Sequence, residues 1–97
     1  MRFTSLEMPP MPFDYKLDAR WRVRGWKVKI REKERCEPPH VSIIFKVKCW
    51  RVNLRTKKFL EKDPAPGDVP LLLLKAIYKD WAVLIDAWNT KYPGNKV

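Results

Sequence analysis

A chain of 97 residues, 45% of them hydrophobic, has the size and composition of one globular domain with one core. Such a domain buries roughly 60 to 70% of its unfolded surface, so a large substrate cavity would compete with the core, which argues against a metabolic enzyme. The net charge of +10 implies an anionic partner.

That charge is unevenly placed. Met1 to Tyr15 holds one base and two acids (−1), Lys16 to Lys62 holds 16 bases and 5 acids (+11), and Asp63 to Val97 holds four of each (0). A basic block of this kind suits RNA or DNA, through phosphate contacts and counterion release, and an acidic partner protein would satisfy the same charge. Cys36, Cys49 and the single His40 cannot supply four zinc ligands, so the chain is expected to fold without metal. Gly-rich phosphate loops, nucleophile elbows, paired catalytic carboxylates and HExxH are missing from the sequence, and no cofactor is expected. No stretch approaches the roughly 20 apolar residues of a membrane span. Two free thiols then fit a reducing cytoplasm, with no membrane partner.

The start, Met1 to Asp18, reads as a proline-rich extension, interrupted by Pro9, Pro10 and Pro12, with the domain running from Ala19 to Val97. From Arg20 to Arg31 apolar and basic residues alternate with period two, as in strands with one wet face. Trp21 and Val23 are odd, whereas Trp26, Val28 and Ile30 are even, so the phase slips at Arg24-Gly25. A hairpin turn or a bulge there would keep all five on one face; the hairpin, the favoured form, pairs Val23 with Trp26, Trp21 with Val28 and Ala19 with Ile30. On the other face Arg22 would oppose Lys27 and Arg20 would oppose Lys29. Opposed like charges cost up to about 1 kcal/mol, and they suit either an anion-binding surface or a solvated face with splayed side chains.

After Pro39 the pattern repeats. Val41, Ile43, Phe45 and Val47 are odd, Trp50, Val52 and Leu54 are even, and the slip at Lys48-Cys49 predicts a second hairpin pairing Val47 with Trp50, Phe45 with Val52 and Ile43 with Leu54. Its other face carries Ser42, Ile44, Lys46, Arg51, Asn53 and Arg55, with His40 beginning the strand. Lys57 to Gly67 reads as a polar connection, and Asp68 as the N-cap of a helix with Pro70 in its first turn. Leu74, Ile77, Tyr78, Trp81, Leu84, Ile85, Trp88 and Tyr92 follow helical spacing. Pro93-Gly94 stops the helix, and a break near Lys79-Asp80 would divide it in two. Leu71 to Leu74 is apolar all round, which predicts a first turn buried from more than one side or touching a partner. The fold class expected is therefore α+β: an antiparallel sheet of about four strands in two hairpins, packed on a long C-terminal amphipathic helix. The expected core is Trp21, Val23, Trp26, Val28, Ile43, Phe45, Val52, Leu54, Ile77, Trp81, Leu84 and Trp88.

The run Glu37-Pro38-Pro39-His40-Val41-Ser42, followed by a hairpin and a helix with Trp88 near its end, resembles a family of small uncharacterised bacterial proteins that carry Asn-Pro-Pro-His-Val/Phe-His after a β-hairpin. The resemblance covers roughly Ala19 to Tyr92. It implies no established reaction, but members are often encoded beside another small protein, which implies a toxin-antitoxin pair with a partner encoded nearby. Ser42 stands where that family has its second histidine, so only His40 maps onto the motif.

Three readings follow. The first is a basic module associated with nucleic acid through Arg20, Arg22, Lys27, Lys29, Lys46, Arg51 and Arg55. The second is a small RNase toxin with His40 as the catalytic group, beside Ser42, Arg51 and Arg55. The third is a domain whose acidic protein partner covers the basic sheet. A histidine after Pro-Pro serves equally to bond a neighbouring carbonyl and fix where a strand begins, and the balance favours structure or binding over catalysis.

Overall fold

The computed structural model describes residues 13–30 and 38–97. Among these residues the chain is α+β, with four antiparallel strands in sequential order and two C-terminal helices. The strands are β1 (Phe13–Tyr15), β2 (Trp26–Ile30), β3 (His40–Phe45) and β4 (Lys48–Asn53). A short helix, α1 (Ala19–Arg22), lies between β1 and β2; α2 (Leu71–Lys79) and α3 (Trp81–Lys91) follow the sheet.

The first hairpin differs from its expected form. Ala19 to Val23 is not a strand; its place beside β2 is taken by Phe13–Tyr15, with Phe13 opposite Ile30, Asp14 opposite Lys29 and Tyr15 opposite Val28. The fold therefore begins before the expected boundary at Ala19, while residues 1–12 lie outside the described chain. The reason is in the local spacing: Leu17 and Trp21 are both buried and four residues apart, which suits a helical turn, whereas only Trp21 and Val23 supported alternation. Arg22 donates from Nε to the Leu17 carbonyl at 2.8 Å, and Val23, expected in the core, is 82% exposed. Gly25 then turns the chain into β2 at φ 98°, a left-handed conformation open chiefly to glycine.

The second hairpin forms with its turn two residues earlier than expected. Lys46-Val47 connects Phe45 to Lys48, so Ile43 faces Trp50 and Val41 faces Val52. A shift by two keeps every side chain on its intended face, which is why the alternation alone did not distinguish the registers. Val47 falls in the loop and is 99% exposed. Beyond β4 the chain turns back, and Phe59 bridges Val52.

The core joins sheet and helices through Trp26, Val28, Ile30, Val41, Ile43, Trp50, Val52 and Leu54 on one side and Leu73, Ile77, Trp81, Leu84 and Trp88 on the other. Phe45, expected in this core, is half-buried. The two helices meet at Asp80, whose φ of −108° and ψ of 28° leave the α region. Asp68 ends a 3-10 turn and the N-cap position of α2 is Pro70. Leu71 and Leu72 are exposed while Leu73 is fully buried, so the first turn of α2 is covered from one side alone. No helix among the described residues is long and apolar enough to cross a membrane.

Candidate anion-binding cleft

The seven cations expected to share one face are dispersed over α1, β2, β4 and the turns beside β4, and several are paired. Arg20 and Arg22 sit on α1, so the opposed pairs Arg22/Lys27 and Arg20/Lys29 do not form across strands. Lys29 instead faces Asp14, with Nζ 3.4 Å from a carboxylate oxygen. Arg51 is paired with Glu61. Arg55 donates to the Lys96 carbonyl at 2.7 Å, and Arg20 lies 3.7 Å from Asp18 with its guanidinium over the Trp21 ring. Lys46 stands apart in the β3–β4 turn, its ammonium 5.2 Å from the centre of the Phe45 ring.

Arg22, Lys27 and Lys29 nevertheless come together. With Lys16 they line a cleft of about 580 Å³ between the Lys16–Arg22 segment and β2, floored by Leu17, Trp26 and Val28 and carrying Asp14 as its one acid among the described residues. Four cations around one acid leave an excess of positive charge over a low-dielectric floor, which focuses the field on an entering anion. Lys16 and Lys27 have no acidic partner among the described residues, so their charge is available to a ligand. Lys16 was missed as a site residue because it was assigned to the extension, although the basic block in the sequence begins there.

His40 is differently placed from what catalysis needs. It is 0% exposed, its Nδ1 is 2.8 Å from the Pro38 carbonyl oxygen, and its ring centre is 5.4 Å from that of Trp88. Alternation gives the side a residue leaves the sheet but not what lies over it, and here the ring is covered. A general acid or base must reach within hydrogen-bonding distance of the atom it serves, and this imidazole presents no surface to solvent. Ser42 is also buried, and its Oγ has no hydrogen-bond partner. His40 opens β3 with its ring held against the Pro38 carbonyl. No group of three or more His, Cys, Asp or Glu side chains that could hold a metal comes together among the described residues, and Cys49 is a free, half-buried thiol.

A second hollow, of about 540 Å³, lies at the β3–β4 turn. Trp26, Phe45 and Trp50 line it, with Lys46, Val47, Lys48 and Asp68 at its rim. Trp26 stacks on Phe45 with ring centres 4.5 Å apart and on Trp50 at 5.6 Å. Trp26 lines both hollows, so the cationic cleft and the aromatic one are neighbours. No protein-family model, curated protein or solved structure matches the chain.

Proposed function

We propose that the protein is a nucleic-acid-binding module that holds phosphates in the cleft formed by Lys16, Arg22, Lys27 and Lys29. The observation that carries the reading is the convergence of these four cations on one concave site, with Asp14 the single acid among its described lining residues. Catalysis through His40 is not part of it, because the imidazole is enclosed. Membership of a toxin-antitoxin pair rests on the family resemblance alone, and relief of growth arrest by the neighbouring gene's product would test it.

The direct test uses Lys16→Gln with Lys27→Gln, since neither residue makes an ion pair among the described residues. Wild type should bind labelled RNA or DNA with an affinity that falls steeply with salt. The double variant should bind more weakly, with a slope of log K against log salt shallower by roughly 1.4 to 1.8, as for two lost phosphate contacts. Unchanged binding would remove the cleft from the site. No binding of either nucleic acid by wild type at low salt would sink the proposal and leave an acidic protein as the partner for this surface.

A further inference from the structure

We infer that the ligand is a single strand rather than a duplex, with a base held against the aromatic wall of Trp26, Phe45 and Trp50 while its phosphates lie in the cationic cleft. This rests on the proposed nucleic-acid reading and specifies the substrate class of that site. Proteins that hold single strands combine a cationic track for the backbone with aromatic rings for the bases, because every base has a π face that a duplex keeps inside its stack. Both parts are present side by side. Trp26 lines the cationic cleft and the 540 Å³ aromatic hollow alike. Lys27 and Lys29 leave β2 on the face opposite Trp26 and Phe45, so the bound strand rounds the Trp26 end of β2 to meet both.

Phe45 is the ring placed to receive a base. It is half-buried, whereas Trp26 and Trp50 are buried, and it is backed by Trp26 stacked at 4.5 Å. Lys46 covers the Phe45 ring at 5.2 Å, but this is an exposed, flexible side chain that a base displaces at little cost, and its ammonium then serves the adjoining phosphate. Lys48, exposed on the same rim, is the second such cation, 3.9 Å from Asp68. The chemistry fits RNA and single-stranded DNA equally. The ribose 2′-hydroxyl would separate them.

The test titrates the full chain with labelled oligonucleotides of about 12 nucleotides, as single-stranded RNA, single-stranded DNA and duplex DNA at equal salt, by fluorescence anisotropy. Single strands should bind at least about tenfold tighter than duplex, and Phe45→Leu, which keeps apolar bulk without a π face, should remove that advantage while leaving duplex binding unchanged. Phe45→Trp should restore it. Should Phe45→Leu melt below the assay temperature, Lys46→Gln with Lys48→Gln probes the same rim from exposed positions and should weaken single-strand binding more than duplex binding. Equal affinity for strand and duplex, or a Phe45→Leu protein that keeps the preference, overturns the inference and leaves the phosphate-binding cleft standing. Binding of neither form overturns both.

Discussion

Single side chains in this protein often do two jobs, filling the core and satisfying a backbone group. Trp81 packs edge-on against Tyr78 with ring centres 5.2 Å apart, and its Nε1 donates to the Leu54 carbonyl at 3.1 Å, tying α3 to the end of β4. Trp81→Ala should therefore cost about 3 to 5 kcal/mol, near the whole stability of a marginal small domain. Trp81→Phe keeps much of the packing but leaves that carbonyl without its donor, and should cost about 1 to 3 kcal/mol. Chemical denaturation of the two variants separates the terms, and a Trp81→Ala protein as stable as wild type would deny that the helix closes the core. His40 belongs with Trp81 in kind: its Pro38 bond and its contact with Trp88 make it a fixing point for the strand.

Among the elements, the β3–β4 turn carries the clearest local compromise. Lys46 has φ 55°, in the left-handed region where a side chain costs about 1 to 2 kcal/mol, and Val47 beside it is a β-branched residue left in water. The chain accepts this because the register places Trp50 opposite Ile43 and stacks it on Trp26. Lys46→Gly should raise stability by about 0.5 to 1 kcal/mol, the steric gain exceeding the added entropy of the unfolded glycine. Val47→Asn should change it by no more than about 0.5 kcal/mol. Thermal melts of both are the measurement; a destabilised Lys46→Gly protein would mean that the lysine's contact with Phe45 outweighs the backbone cost. In the sequence the turn lay at Lys48-Cys49, since Val47 continued the odd-numbered series. In α1 the error was of the opposite kind, because two apolar residues in alternation carried less information than Leu17 and Trp21 at helical spacing.

At the scale of the whole molecule, a tie distant in sequence runs from β1 to the helix junction. The Tyr15 hydroxyl donates to the Asp80 carboxylate, which closes the first strand onto the break between α2 and α3. Burial, together with that bond and the charge of Asp80, pushes the Tyr15 pKa from 10.0 up to about 12. The unfolded chain releases this proton near its ordinary pKa while the folded chain keeps it. Stability from this group is thus full below about pH 10 and declines as pH rises toward 12. Melting temperatures followed from about pH 9 to about pH 12 should fall less steeply for Tyr15→Phe than for wild type. The burial of Tyr78, which raises its pKa too, leaves part of the fall in place. Identical slopes in the two proteins would show that the tie does not couple the strand to the helices.

What the sequence determined by itself follows from periodicity, which depends on neighbours along the chain. The α+β class, the faces of β2, β3 and β4, the helix break beside Asp80 and the burial of Trp26, Val28, Ile43, Trp81, Leu84 and Trp88 were all legible in it. What only the tertiary structure decided depends on neighbours across the chain. Phe13–Tyr15 became a strand because β2 had an edge to pair, and its three residues are too few to carry a pattern of their own. The register of β3 and β4 was open because two alignments give the same faces. The cleft was hidden for the same reason: which cations remain available was settled by Asp14 reaching Lys29 and Glu61 reaching Arg51, and by α1 turning Arg22 toward β2. Charge along the sequence counts bases, but the field at a site depends on which of them a fold leaves without an acid alongside.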